Sequence, residues 1–253
     1  MPARSVIINA DDLGLCPSVS RGIFAAWTLG AVGDSSVFAN APDLPELLQQ
    51  AAQLGLPVGV HLNLTFGRPL SDPADIPALV SPAGVFLRHT QWCFPLPVEQ
   101  IRRELTGQLR RVTELGWHPS HLDSHHHVQR YAEVQAVLIE LAHAYRLPAR
   151  AIDPADRTAL SAAGIATPDH FSMTFYGGQA TVETLIQLVA ATPDGLLEVM
   201  THPGYLSPEL PGSYREAREQ ELAALTAARW RNYLAEHEIP IQGFAALGDG
   251  GSS

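Results

Sequence analysis

Apolar positions along this chain recur in two periods that alternate. Val6-Ile7-Ile8 is a β-branched run that breaks into Asn9-Ala10-Asp11-Asp12-Leu13-Gly14, the mark of a buried strand ending in a loop. Residues 18–29 place Val19, Ile23 and Ala26 or Trp27 on one helical side, and 35–39 read as a second strand. Leu44, Leu47, Leu48 and Ala51 space a helix over 43–54 that stops at Gly55, where a left-handed cap is expected. Residues 58–64 form a third predicted strand. The Pro- and Gly-rich stretch 67–97 reads as a long irregular excursion, a kind of segment that is usually functional or disordered. Ile101, Leu105, Leu109 and Val112 stripe a helix over 97–115. A strand over 121–127 and a helix from about 131 to 145 follow. In the second half, 171–175 and 196–202 read as strands, 182–191 and the long stretch 214–237 as helices. A last strand covers 241–247, and 248–253 is a loose tail.

Strand and helix alternate throughout, which predicts an α/β fold with a mostly parallel sheet and covering helices. The polar residues sharpen this. The pair Asp11 and Asp12, then His61, His125 and His202, fall at the C-terminal ends of different predicted strands. A (β/α) barrel builds its site from several strand ends at that rim, whereas an open doubly wound sheet usually draws on fewer. The expectation is one irregular, TIM-barrel-like domain over 1–253.

Composition narrows the partners. The chain has 46% hydrophobic and 17% charged residues, with a formal charge of −10, which disfavours nucleic acid and anionic membranes. Cys16 and Cys93 form no CxxC pair, consistent with a reducing compartment. Met1-Pro2-Ala3-Arg4 precedes the first strand with no apolar signal core. Cytoplasmic residence is therefore expected.

The densest chemistry lies in His121-Leu122-Asp123-Ser124-His125-His126-His127. On an extended strand His121, Asp123, His125 and His127 would share one face. Imidazoles gathered about a carboxylate suit a metal, because a ligating histidine needs a partner for its second nitrogen. Asp11 and Asp12 could be a solvated turn, but they follow an apolar run directly. Two carboxylates at one site can divide cation binding from proton transfer. Pro203 and Gly204 turn the chain after His202 and hold it at the rim. His89, His118, His143, His170 and His237 lack such context and read as structural or surface residues. The sequence has no GxSxG elbow, P-loop, GxGxxG fingerprint or HExxH helix. Two imidazoles and a carboxylate with open positions describe a hydrolytic metal site, suited to zinc and, with water ligands, to magnesium.

Four segments together resemble the YdjC-like carbohydrate deacetylases, a family that includes chitooligosaccharide deacetylases. They are Ile8-Asn9-Ala10-Asp11-Asp12-Leu13-Gly14-Leu15, Gly59-Val60-His61-Leu62-Asn63-Leu64-Thr65, His121-Leu122-Asp123-Ser124-His125-His126-His127-Val128 and Glu198-Val199-Met200-Thr201-His202-Pro203. They span nearly the whole chain in the family's order. Leu13 stands where the family typically has Phe, and Gln129 where it often has His. The resemblance implies a deformed (β/α) barrel, a divalent cation, and removal of N-acetyl groups from amino sugars or their oligosaccharides, N-acetylglucosamine-containing ones among them. Magnesium is the favoured cation and zinc the alternative. The resemblance assigns Asp12, His61 and His125 as metal ligands, Asp11 as general base and His202 as general acid. The split between Asp11 and Asp12 follows related polysaccharide deacetylases. Asp123, His127 and Tyr205 would face the substrate or support the ligands.

The implied partner is a small carbohydrate, with a homodimer as the candidate assembly. Two other readings stay open. A phosphoester or other acyl hydrolase on the same scaffold would want cations to clamp its substrate, and Arg68 and Arg130 are the nearby candidates. A metal-dependent sugar-binding module would need the ligands but neither Asp11 nor His202.

Overall fold

In the computed structural model, residues 5–248 are described; of the predicted tail, only Gly248 falls among them. Strands β1 (Ser5–Leu13), β2 (Asp34–Val37), β3 (Val58–Leu62), β4 (Leu122–Ser124), β5 (His170–Ser172) and β6 (Leu196–Thr201) form a parallel sheet. Their order is β4-β3-β2-β1-β6-β5, and β7 (Ile241–Gln242) pairs parallel with the start of β1. The sheet curls into a half-barrel. Its covering helices are α1 (Pro17–Thr28), α2 (Leu44–Leu54), α3 (Val98–Glu114), α4 (Ala132–Tyr145), α5 (Pro154–Ala162), α6 (Val182–Ala191), α7 (Glu216–Leu225) and α8 (Ala228–Glu236). Parallel strands buried on both faces are usually apolar throughout. Here the sheet also buries Asn9, Asp11, Ser36, His61, Asp123, Glu198 and Thr201, so its interior carries a polar network.

Most predicted elements are present, and Gly55 caps α2 at φ 70° as expected. The predicted strand 241–247 is a strand only at Ile241–Gln242 and passes into a 3-10 turn, Phe244–Leu247; four larger differences follow from packing. Strand β1 runs on through the acidic pair to Leu13. The predicted strand 121–127 stops at Ser124 and turns into a short 3-10 segment, His125–Arg130. The predicted helix 214–237 is broken between α7 and α8. A continuous helix would carry the buried stripe of Arg218, Leu222 and Leu225 on to positions 229 and 232. Both are exposed, and the break turns Trp230 and Leu234 inward instead. Helix α5 had no clear pattern, because it buries only Asp156 and Leu160.

The 67–97 excursion is anchored rather than loose. It buries Ile76, Leu79, Phe86, Trp92 and Leu96. Buried Glu104 on α3 accepts hydrogen bonds from the Leu70 and Ser71 amides at 3.1 and 2.8 Å. Among the described residues no helix is long and apolar enough to cross a membrane.

Candidate active site

Strict alternation along a strand would send Asp11 and Asp12 to opposite faces. The register between β1 and β2 shifts between Ala10 and Leu13, and Asp12 adopts φ 76°. A bulge of this kind re-aims a side chain, and both carboxylates line one cavity of about 380 Å³. A positive φ is unfavourable for a residue other than glycine, and such outliers cluster at functional sites.

The two carboxylates are held differently. Asp11 accepts from both Nη atoms of fully buried Arg150, each at 2.7 Å, and from the Asn9 amide at 2.7 Å. Burial pushes the Asp11 carboxyl up, but the Arg150 fork holds it below the usual range. Asp12 gives Oδ2 to Arg218 Nη2 at 2.6 Å. Its buried Oδ1 has no hydrogen-bond partner, although His125 Nδ1 lies at 3.1 Å and His61 Nε2 at 3.4 Å. Against its burial, Arg218 and His125 hold the Asp12 carboxyl well below the usual range.

His61, at the end of β3, is oriented from behind. Its Nδ1 lies 2.8 Å from Asp123 Oδ1 and 3.1 Å from Ser36 Oγ, and Ser36 donates to Asp123 Oδ2 at 2.8 Å. Burial pulls the His61 imidazole down, and Asp123 with Asp12 outweighs it, raising the pKa to about 10. A carboxylate behind a histidine fixes the ring's orientation, and a cation taken up by the far nitrogen would displace the proton held there. His125 packs edge-on against Phe38 and His61. The next two residues take φ of 57° and 50°, which ends the strand's alternation. His126 lies on His125, with ring centroids 3.8 Å apart, and bonds Thr65. Burial lowers His126 to about 4, and burial beside Arg150 lowers His127 to about 3. His126 and His127 are therefore neutral near pH 7.

His202 follows β6. Close packing sets its turn: a Cβ on Gly22 of α1 would sit 2.4 Å from Gly204 Cα. The His202 amide donates to Glu221 Oε2, and its ring Nδ1 is 3.7 Å from Glu221 Oε1. Tyr214 also donates to Glu221. Tyr176 stacks on Tyr214, with centroids 4.1 Å apart, and both rings stand edge-on to His202 at 5.6 Å.

Asp12, His61 and His125 offer ligand atoms within 4.8 Å of one another, as do Asp11, His61 and Asp123. The second group is already served by a cation, since Arg150 Nη1 reaches Asp11 at 2.7 Å and Asp123 at 3.2 Å. The first keeps an oxygen without a partner. It is the group whose donor chemistry fits a metal ion.

The structure brings Asp11, Asp12, His61, His125, His127 and His202 to one cavity and sets Asp123 behind His61. Tyr205 does not join them; it is 39% exposed, and its amide bonds Ser18. His121 lies deeper, stacked on Phe244 with Nδ1 3.6 Å from Asp34. His89, read as structural or surface, lines the cavity. Arg130 does too, whereas Arg68 binds the carbonyls of Ala83 and Gly84 instead. Sequence reasoning missed Arg150, Arg218, Glu221, Tyr176 and Tyr214. Arg150 follows an isolated parallel bridge between Ala149 and Leu122, a placement that the local sequence pattern does not announce.

Comparison with known proteins agrees with this arrangement. The family model described as YdjC-like protein matches residues 5–236. A carbohydrate deacetylase of Thermoanaerobacter pseudethanolicus is 34% identical, covering 96% of this chain and 99% of its own. One from Geobacillus stearothermophilus is 38% identical, covering 94% and 96%. A crystal structure from Enterococcus faecalis V583, of a protein provisionally assigned to cellobiose-phosphate cleavage, superposes with a TM-score of 0.90. It is 27% identical over 98% of this chain and 99% of that one. The fold and its strand-end site define a half-barrel protein with a group of residues, Asp12, His61 and His125, that could hold a metal ion. The chain belongs to the YdjC-like family.

Proposed function

We propose that this protein is a metal-dependent carbohydrate deacetylase that hydrolyses the N-acetyl amide of amino sugars or their oligosaccharides. The observation that carries the reading is Asp12 Oδ1, buried without a hydrogen bond and facing His61 and His125, in a cavity that also holds Asp11 and His202. The relatives named as carbohydrate deacetylases along nearly their whole length support it.

Asp12, His61 and His125 would hold a divalent cation. Magnesium is the first to test, on the family resemblance, and zinc the second, because imidazole suits it. Bound there, the cation supplies Lewis-acid polarisation of the acetamide carbonyl and acidifies water. The remaining work falls to side chains. Asp11 Oδ1 accepts from both Asn9 and Arg150, whereas Oδ2 accepts from Arg150 alone, so the ionised carboxylate is a poor candidate ligand yet keeps one lone pair on Oδ2 that can accept a proton from attacking water. This division of labour assigns Asp11 as base and Asp12 as ligand. His202 delivers a proton to the departing nitrogen, without which the leaving group would be an amide anion. Glu221 holds the His202 backbone, and Tyr214 in turn holds Glu221. Tyr176 and Tyr214 give the cavity an aromatic wall, a surface suited to the apolar face of a sugar ring. The phosphoester reading loses ground because, of its two candidate cations, only Arg130 reaches the cavity, and Arg218, which also lines it, is engaged by Asp12.

The test is acetate release from a panel of N-acetylated mono- and oligosaccharides, with protein loaded in turn with magnesium and zinc. Turnover of at least one sugar is expected. No acetate from any sugar with either metal overturns the proposal.

A further inference from the structure

Arg218 takes no part in the roles above, yet it is built into the site. It is 5% exposed and comes from α7, 206 residues along the chain from Asp12. Its Nη2 lies 2.6 Å from Asp12 Oδ2, its Nε 3.2 Å from the Tyr214 carbonyl, and its Nη1 3.5 Å from the His202 carbonyl. The guanidinium is thus pinned by backbone on two sides. Asp12, held at φ 76°, meets it with one oxygen and turns the other toward His61 and His125.

We propose that Arg218 is a metal-selectivity residue: by occupying Oδ2 it restricts Asp12 to ligation through one oxygen. The inference rests on the metal site proposed above. Calcium takes about six to eight oxygen ligands and readily uses both oxygens of a carboxylate, whereas magnesium takes about six ligands at shorter range. Zinc is usually bound by about four ligands, nitrogen among them. Two imidazoles and a single carboxylate oxygen therefore favour the small cations, and Arg218 denies calcium the second oxygen that would suit it. The Arg218 charge also repels every divalent cation. That repulsion is common to all of them and cancels in a ratio of affinities, so the ratio isolates the geometric effect.

The experiment measures magnesium, zinc and calcium binding by titration calorimetry for wild-type protein, R218Q and R218K, with circular dichroism to confirm folding. In R218Q the affinity for calcium relative to magnesium should rise by about tenfold or more as Oδ2 is released. R218K keeps a charged donor for Oδ2 but not the guanidinium's hold on the two carbonyls, so its ratio should fall between those of wild type and R218Q. If R218Q does not fold, R218M, of similar length and without a donor, carries the same expectation. A folded R218Q with the wild-type ratio overturns the inference, as does an R218K shift as large as that of R218Q. Wild-type protein that binds none of the three cations refutes the metal site itself, a result distinguishable from failure of the selectivity argument.

Discussion

Arg150→Met is the most exacting perturbation of this architecture. Arg150 has no solvent exposure, and its guanidinium contacts three buried carboxylates. Asp11 receives two bonds of 2.7 Å, Glu198 one of 2.6 Å from Nε, and Asp123 lies 3.2 Å from Nη1. Methionine fills much of the volume but leaves those carboxylates without their shared cation. Breaking a buried pair by removing one partner costs about 3–5 kcal/mol, a fall in Tm on the order of 10 °C for a chain of this size. The loss must depend on pH. In the wild type Asp11 and Asp123 titrate below the ordinary aspartate value. The stability they contribute is therefore present above their unfolded pKa and lost as pH falls through their folded one. Without Arg150, burial and the neighbouring Asp123 instead raise Asp11, while Asp123 keeps His61 as its partner, and the variant loses stability as pH rises. The penalty should then be larger at pH 8 than at pH 5. Urea denaturation at the two pH values measures it. A penalty below about 1 kcal/mol at pH 8, or one larger at pH 5, would show that the fork is not what stabilises this interior. R150K retains the charge without the two-pronged geometry and should fall between wild type and R150M.

Three further outcomes follow from the same geometry. Asp11→Asn is nearly isosteric and should retain metal while losing turnover by about 100-fold or more, read from metal content and acetate release; loss of metal instead would reverse the roles of Asp11 and Asp12. Burial raises Glu198 to about 7 despite Arg150, so the folded protein holds a proton there that the unfolded chain releases, and this group's stability is lost as pH rises from about 4.5 to 7; Glu198→Gln should remove that component from the pH dependence of Tm, and an unchanged profile would exclude Glu198 as its source. His202→Ala should lower kcat, with a smaller loss on an activated ester, whose leaving group needs no proton; equal losses on ester and amide would argue for positioning.

Much of the fold was legible because its signals are local. The stripe of Ile101, Leu105, Leu109 and Val112 is buried on α3, as its spacing requires, and β3 and β6 end close to where their apolar runs give out. The errors are places where tertiary packing overrides local pattern. Nothing in residues 226 and 227 announces a helix break; it exists because Trp230 must face the core, off the stripe that α7 buries. Likewise, alternation carried the predicted histidine strand through His127. The chain departs from it at His126 and His127, whose left-handed backbone turns the histidine run into the cavity wall.

The site shows the same boundary. Asp11, Asp12, His61, His125 and His202 could be picked out because each is a polar residue where an apolar run ends. What sequence could not supply was the difference between two adjacent aspartates. That difference is made by partners 139 and 206 residues distant, Arg150 taking both oxygens of one and Arg218 a single oxygen of the other. Neither arginine lies in the four segments that carry the family resemblance, and Arg218 sits on a helix whose pattern gave no reason to single it out. In the roles proposed above, the two aspartates differ in how many of their oxygens already carry an arginine. That number is set by long-range ion pairing, so spacing along the chain cannot encode it.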